Sequence, residues 1–147
     1  AGPTTRILFL CTGNSCRSQM AEGWTRALRG DEFEVVSAGT EPKAVDPRAI
    51  EVMAEAGVDI SGRRSKSVDE FAGQEFDYVI TVCEAANEAC PFFPGKTKRV
   101  HAGFPDPPKL AEGASSEEEA LEHYRRVRDD IRAFVEAMPG NLEDASG

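Results

Sequence analysis

The sequence lacks any apolar run near the roughly 18 residues that a membrane-spanning helix needs, because polar residues interrupt every hydrophobic segment. It also lacks positive charge: 17 Lys and Arg stand against 26 Asp and Glu, which gives a formal net charge of −9. Such an acidic balance disfavours general binding to nucleic acid. Composition therefore excludes membrane-spanning, fibrous and nucleic-acid-coating proteins.

Features of an exported or multidomain protein are also missing. The first residues, AGPTTRILFLCTGNSC, contain a short apolar run without a cleavage pattern, so we do not expect a signal peptide. A length of 147 residues is typical of one domain. We therefore expect a single domain over 1–147, with a core from about 5 to 139, frayed termini and a cytoplasmic location.

Four cysteines, Cys11, Cys16, Cys83 and Cys90, are the most informative residues. In a reducing compartment, stable structural disulfides are not expected. A structural zinc site normally shows paired C-x2-4-C motifs, whereas the gaps here are C-x4-C and C-x6-C. We therefore expect no metal site and consider the thiols as candidates for catalysis or redox chemistry.

Short apolar runs alternate with helical patterns along the chain. Strands are predicted at 7–10, at 35–36, at 78–82 and, as a weaker edge strand, at 99–101. This alternation predicts an α/β fold, with one central four-stranded parallel sheet flanked by helices on both faces.

The predicted helices have recognisable ends. Leu28 falls on the apolar face of the first helix, which should end at Gly30. Asp46, followed by proline, predicts the N-cap of a second helix. Ser116 and Glu119 predict a capping box at the start of a long last helix.

The segment CTGNSCRS, residues 11–18, follows the first strand and suits the binding of a tetrahedral oxyanion. Its backbone N–H groups can turn inward, with the positive end of the following helix behind them. Gly13 and Asn14 tolerate the left-handed backbone of a tight loop, and Arg17 can bind two anion oxygens at once. The residues expected to bind the oxyanion are Thr12, Gly13, Asn14, Ser15, Cys16, Arg17 and Ser18.

Cys11 is the candidate nucleophile of this loop. The positive field of the loop predicts that the pKa of Cys11 lies below its usual range, with a possible hydrogen bond from Ser18 to the thiolate. The simpler alternative is a buried cysteine after a core strand, followed by a solvated Arg17.

The motif CTGNSCRSQMAEGW resembles the low-molecular-weight protein tyrosine phosphatase family, and within it the thioredoxin-coupled arsenate reductases. The resemblance extends through SAGT, TVCEAANEACPFFPG and GFPDPP, and so covers nearly the whole chain. It implies a phosphatase-like fold, arsenate as substrate with phosphate or sulfate as competing anions, thioredoxin as the external electron donor, and a monomer.

The GFPDPP segment carries Asp106, which the resemblance identifies as the general acid that protonates the leaving oxygen. An aspartate between prolines is otherwise typical of a plain turn. Phosphatases of this family usually carry an aromatic residue after the Asp-Pro pair, whereas Pro108 and Lys109 follow here. This difference weakens the phosphatase interpretation.

Cys83 follows the third predicted strand, so it should lie at the same sheet edge as Cys11. A regular helix over the next seven residues would separate Cys83 from Cys90 by about 10.5 Å, too far for a disulfide, which needs Cα atoms roughly 4.4–6.8 Å apart. The resemblance implies a relay in which the helix unwinds and disulfides form from Cys11 to Cys83 and then from Cys83 to Cys90. Cys16 is not required, and two packing cysteines remain the alternative for 83 and 90.

Some reductases of this family bind potassium beside the loop. Asn14, Glu22 and Ser37 match three of the side chains involved, but Lys66 stands where an aspartate is usual. An ammonium group can replace the cation electrostatically, so we expect no metal requirement.

Three functions remain open at this stage. The first is an arsenate reductase with a three-cysteine relay, the second a low-molecular-weight phosphatase acting on phosphotyrosine, and the third a non-enzymatic redox-sensing oxyanion-binding protein. Arsenite production, phosphate release, or neither would distinguish them.

Overall fold

The computed structural model describes residues 5–142. The predicted frayed ends, 1–4 and 143–147, lie outside the described residues. Within the described part, four parallel strands form one sheet in the order β2-β1-β3-β4. The strands are β1 (Thr5–Cys11), β2 (Phe33–Gly39), β3 (Tyr78–Thr81) and β4 (Lys98–His101). The predicted parallel sheet is therefore confirmed.

Helices connect successive strands, and two further helices follow the last strand. They are α1 (Arg17–Arg29), α2 (Pro47–Glu55), α3 (Glu84–Glu88), α4 (Pro107–Ala111) and α5 (Glu117–Ala137), with a short 3-10 helix at Val68–Phe71. Helix α5 packs against α1, α2 and α4. Within residues 5–142, no helix has the length and apolarity needed to cross a membrane.

Strand β1 is the centre of the core. Ile7, Leu8, Phe9 and Leu10 are all fully buried, although successive side chains point to opposite faces. Both faces of the sheet are therefore covered, as the uninterrupted apolar run predicts. In β4, by contrast, only Val100 is buried, which confirms an edge strand.

Two helix N-termini follow the predicted capping chemistry. Asp46 accepts a hydrogen bond from the Arg48 N–H at 2.9 Å, and the Ser116 hydroxyl accepts one from the Glu119 N–H at 3.1 Å. A capping box also needs a hydrogen bond from the N-cap N–H, that of Ser116, to the Glu119 carboxylate. Here that carboxylate instead accepts hydrogen bonds from the N–H and the hydroxyl of Ser115.

The end of α1 confirms one prediction and contradicts another. The helix ends at Gly30, as predicted, with right-handed backbone (φ −61°). Glycine suits this position because a Cβ there would lie 2.7 Å from the Arg26 carbonyl oxygen. Leu28, in contrast, is 39% exposed, because burial in α1 stops at Thr25 and the last turn extends beyond the core.

Parallel pairing brings the ends of the two central strands together. Leu10 lies opposite Thr81, so Cys11 at the end of β1 and Cys83 just after β3 emerge at the same edge of the sheet. The candidate site is built at this edge, where open parallel sheets bind their ligands.

Candidate active site

The loop between β1 and α1 encloses a cavity of about 450 Å³. The cavity is lined by the loop residues Thr12, Gly13, Ser15, Cys16 and Arg17, by the thiols of Cys11 and Cys83, and by Lys43, Ala85, Asp106 and Pro108. Five of the seven residues predicted to bind the oxyanion therefore face this cavity. The other two, Asn14 and Ser18, lie behind the loop and are fully buried.

Asn14 holds the loop in shape from behind. Its backbone is left-handed, with φ at 48°, a conformation that asparagine tolerates better than most residues. Its Nδ2 donates to Ser18 Oγ at 2.8 Å and to Ser37 Oγ at 2.9 Å, and its Oδ1 accepts from the Lys66 N–H at 2.8 Å. Ser18 thus acts on the loop through Asn14, and no hydrogen bond joins it to Cys11 within residues 5–142.

The segment after β2 orients the peptide groups of the loop. The N–H groups of residues 40, 41, 43 and 46 donate to the carbonyl oxygens of Cys11, Thr12, Gly13 and Ser15 at 2.8–3.1 Å. In a planar trans peptide the N–H points away from the carbonyl oxygen. The carbonyls therefore face this segment, which leaves the N–H groups that follow them free to face the cavity.

Arg17 joins the loop to the segment that carries Asp106. Its side chain is only 13% exposed, and Nη1 donates to the Phe104 carbonyl oxygen at 2.9 Å. Its Nη2 lies 3.7 Å from Asp106 Oδ1, and Asp106 precedes α4 with a side chain that is 42% exposed. The structure therefore places a guanidinium and a carboxyl group at the same cavity.

The side chains of Cys11 and Cys83 line the cavity together and interact with each other, and the Thr12 hydroxyl lies 3.3 Å from Cys83 Sγ. The interaction with Cys11, together with Thr12, the Ala86 N–H and Arg17, lowers the pKa of Cys83 to about 5 against the opposing effect of burial. The interaction with Cys83 and burial raise the pKa of Cys11 above its usual range, although Arg17 opposes them.

The predicted lowering of the Cys11 pKa is therefore wrong for this arrangement. Two thiols in contact lose their protons as a pair, and a first negative charge opposes the second. Within the pair, the pKa of Cys83 is lowered and that of Cys11 is raised. Sequence reasoning considered Cys11 alone, and only the folded chain brings the second thiol against it.

The other two cysteines lie outside this pair. Burial and the nearby Asp46 raise the pKa of Cys16 well above its usual range, so its thiol is poorly reactive. Cys90 lies beyond the far end of α3, half-buried, and lines a separate cavity of about 200 Å³. All four cysteines are free thiols, and the structure does not bring Cys90 into the loop cavity.

The side chains that resemble a potassium site are already paired with basic residues. Glu22 is 2% exposed, and its carboxylate contacts Arg26 at 3.0 Å, Lys66 Nζ at 3.7 Å and the guanidinium of Arg63. Ser37 Oγ also donates to it at 2.7 Å. Three cations around one carboxylate leave an excess of positive charge, so these residues do not fit a further bound cation.

Sequence reasoning missed several residues of the site. Lys43 lines the cavity, but the sequence around it carries no signal beyond its charge. Gly39, in the SAGT segment, is needed because a Cβ would lie 2.4 Å from the Thr12 carbonyl oxygen. His101, the last residue of β4, lies 2.7 Å from Glu84, which directly follows Cys83. No spacing rule connects positions 84 and 101.

Comparison with known proteins agrees with this geometry. The family of low molecular weight phosphotyrosine protein phosphatases matches residues 6–145. An arsenate reductase of Halalkalibacterium halodurans is 51% identical over 125 residues, which cover 85% of this chain and 88% of that protein.

Solved structures of similar proteins share the fold. An arsenate reductase in the phosphate binding state has a TM-score of 0.72 at 31% identity, covering 98% of this chain and 100% of the other. A thioredoxin-dependent arsenate reductase of Corynebacterium glutamicum has a TM-score of 0.67 at 27% identity, covering 96% of this chain and 65% of the other. On the match over residues 6–145, the chain belongs to the low molecular weight phosphotyrosine protein phosphatase family.

Proposed function

We propose that this protein is an arsenate reductase that passes electrons through Cys11, Cys83 and Cys90 and is regenerated by thioredoxin. The observation that carries the proposal is the presence of both Cys11 and Cys83 in the lining of the oxyanion cavity, beside Arg17. A hydrolytic phosphatase needs one thiol at such a loop. A second thiol at the same cavity supplies the partner that a two-electron reduction requires.

In the first step Cys11 attacks arsenate bound by the loop. Cys11 becomes a thiolate by transferring its proton to the neighbouring Cys83 thiolate, while Arg17 and the loop N–H groups hold the oxyanion. A sulfur–arsenic bond forms and an arsenic–oxygen bond breaks. Asp106, at the same cavity, donates the proton with which that oxygen leaves as water.

In the second step Cys83 attacks the Cys11 sulfur. A disulfide forms between them, the electron pair of the sulfur–arsenic bond moves to arsenic, and arsenite leaves with the proton from Cys83. In the third step Cys90 attacks Cys83, which forms the Cys83–Cys90 disulfide and releases the Cys11 thiolate. The two thiols that are oxidised supply the two electrons that arsenic gains.

Thioredoxin is the proposed reductant of the final disulfide. Cys90 is only partly buried, and the neighbouring Phe92 is 88% exposed, so a protein reductant can reach this end of α3. The homologous structure from Corynebacterium glutamicum is of a thioredoxin-dependent enzyme. Free thiols at all four cysteines suit a reducing compartment, and we propose a cytoplasmic location.

We also propose that the enzyme works as a monomer and needs no resident metal. One chain supplies the loop, the acid and all three thiols. Lys66 and Arg63 hold the Glu22 carboxylate that a potassium ion would otherwise contact. Phosphate and sulfate resemble arsenate in shape and charge, so they should compete for the loop.

The proposed function is tested by arsenate-dependent NADPH oxidation in the presence of thioredoxin and thioredoxin reductase. We expect sustained turnover by the native protein, and at most one arsenite per chain from Cys90→Ser, which should stop as the Cys11–Cys83 disulfide. Cys16→Ser is the matched control and should turn over, because its thiol has no place in the relay.

Hydrolysis of an aryl phosphate measures the phosphatase alternative on the same samples. Rapid hydrolysis without any arsenite would overturn the reductase and leave Cys83 and Cys90 as packing residues. Anion binding without either product would indicate a redox-sensing binding protein.

A further inference from the structure

Two side chains of the edge strand β4 hold the two ends of helix α3. At the first turn, His101 Nε2 lies 2.7 Å from Glu84 Oε2, and Glu84 directly follows Cys83. Near the last turn, Arg99 Nη2 donates to the carbonyl oxygen of Asn87, three residues before Cys90. These contacts therefore span the segment that separates the two cysteines.

The side chain of His101 is fixed from both of its nitrogens. Its Nδ1 lies 2.8 Å from the hydroxyl of Thr81, a fully buried residue of the neighbouring strand β3. The two ring nitrogens therefore face Thr81 of the sheet and Glu84 of α3. His101 thus connects the sheet interior with the start of α3.

Helix α3 depends on such external contacts. It has five residues, of which only Ala86 is buried, and a helix this short is not stable in isolation. Its backbone contributes few bonds of its own, among them Asn87 N to Cys83 O and Ala89 N to Ala85 O. Side chains that tie it to the sheet therefore decide how readily it unwinds.

The inference rests on the proposed function, in which Cys83 and Cys90 form a disulfide. Regular helix would separate their Cα atoms by about 10 Å, whereas the bond needs roughly 4.4–6.8 Å. Helix α3 must therefore unwind before Cys90 can attack Cys83. Unwinding moves both Glu84 and Asn87, so it breaks the contacts with His101 and Arg99.

We propose that His101 and Arg99 are positioning residues that keep α3 folded in the reduced enzyme and thereby control when Cys90 reaches Cys83. Because they stabilise the dithiol and not the disulfide, they make the Cys83–Cys90 disulfide easier to reduce. They also slow its formation from the Cys11–Cys83 disulfide. Both residues act through α3 and do not contact the oxyanion.

Arg99 also affects the Cys90 thiol directly, and the test must separate this effect from its effect on α3. It lines the same cavity as Cys90, and its charge lowers the pKa of that thiol against the larger effect of burial. Replacing Arg99 would therefore change the nucleophile as well as the helix. The contact between His101 and Glu84 provides the cleaner test, because neither residue lines the Cys90 cavity.

The experiment measures the reduction potential of the Cys83–Cys90 disulfide in the full chain. Samples are equilibrated in mixtures of oxidised and reduced dithiothreitol, alkylated, and analysed by peptide mass spectrometry. For His101→Leu we expect the equilibrium to move about tenfold towards the disulfide, which corresponds to a potential about 30 mV more negative. The rate at which Cys90 attacks Cys83 should also rise, because α3 unwinds more readily in this variant.

Matched variants identify the contact responsible. Glu84→Ala removes the other partner, whose side chain is 74% exposed, and should shift the potential as His101→Leu does, without a risk to folding. The double variant should shift it no further than either single one. His101→Gln, which retains a donor, should restore part of the native potential, and His123→Leu, on α5, should leave it unchanged.

Two negative outcomes are distinguishable. Unchanged potentials in both His101→Leu and Glu84→Ala, or shifts to less negative values, would overturn the role of this contact. Absence of a Cys83–Cys90 disulfide from the native protein under all mixtures would instead contradict the relay itself.

Discussion

At the scale of single residues, the four thiols differ because their surroundings differ. Cys83 interacts with Cys11, Thr12 and Arg17, which stabilise its thiolate and lower its pKa to about 5. Cys90 has Arg99 nearby, but burial dominates and raises its pKa above the ordinary value of 9.0. Only the thiolate is nucleophilic, so Cys83 and Cys90 should become reactive in different ranges of pH.

This difference predicts separate pH profiles for alkylation by iodoacetamide. The rate at Cys83 should stay nearly constant from pH 8 to about pH 6 and fall only as the pH approaches its pKa near 5. The rate at Cys90 should already fall about tenfold for each unit below pH 9, because its thiolate fraction falls throughout that range. Peptide mass spectrometry after short exposures gives both rates from one sample.

The Thr12→Val variant is the control, because it removes one donor to the Cys83 sulfur while keeping the shape of the side chain. Its Cys83 profile should move to higher pH. A Cys83 rate that falls tenfold per unit between pH 8 and pH 6 in the native protein would show that the thiol pair is not activated.

At the scale of elements, the start of α2 connects the stability of the fold with the loop. Asp46 caps α2 with one carboxylate oxygen and accepts the Tyr124 hydroxyl of α5 with the other, at 2.5 Å. Its own N–H donates to the carbonyl oxygen of Ser15 in the loop. One residue thus joins two helices behind the oxyanion cavity.

We expect Asp46→Ala to lower the free energy of unfolding by about 2–4 kcal/mol, since it removes an N-cap worth about 1 kcal/mol and leaves a buried hydroxyl without its acceptor at a cost of about 1–3 kcal/mol. Ser116→Ala, which removes only the cap of α5, should cost about 1 kcal/mol. Urea unfolding followed by circular dichroism measures both.

A Tyr124→Phe background separates the two contributions. Without the hydroxyl, Asp46→Ala should cost only about as much as the loss of a cap. Equal costs in the two backgrounds would show that Tyr124 and Asp46 do not stabilise each other.

At the scale of the whole molecule, the fold collects positive charge behind the loop of an acidic protein. Arg26 of α1 and Arg63 and Lys66 of the segment before β3 converge on the buried carboxylate of Glu22. The Lys66 backbone N–H also binds Asn14 in the loop. This local excess of positive charge favours an oxyanion despite the net charge of −9.

We expect arsenate reduction to be independent of potassium. The kcat/KM for arsenate should be the same in potassium chloride and in N-methylglucamine chloride of equal ionic strength, because basic side chains already neutralise Glu22. In Lys66→Asp the ammonium is replaced by a carboxylate, so activity should fall and be restored in part by potassium. Steady-state rates in the thioredoxin-coupled assay test both.

Arg64→Gln provides the matched control, since Arg64 pairs with Glu70 at the surface and does not contact Glu22. It should behave as the native protein in both salts. A native enzyme that loses activity without potassium would contradict the electrostatic role of Lys66.

The sequence predicts the sheet and the loop well because their signals are local. The apolar run at 7–10 is long enough to indicate a strand buried on both faces. An aspartate followed by proline, as at Asp46, is typical of the start of a helix. Helical spacing places Leu28 on the apolar face of α1 and therefore predicts that it is buried. Spacing does not show where the core ends along that face. The exposed last turn of α1 depends on how far its neighbours extend.

By itself, the sequence determined the parallel α/β architecture, the oxyanion loop with Arg17, and the position of Cys83 at the same sheet edge as Cys11. These follow from short-range pattern and from the rule that parallel strands end together. Only the tertiary structure decided that Cys83 lies beside Cys11 with a lowered pKa, and that β4 holds α3 through His101 and Arg99. Such properties depend on short distances between side chains from different elements, and the pattern along the chain does not encode those distances.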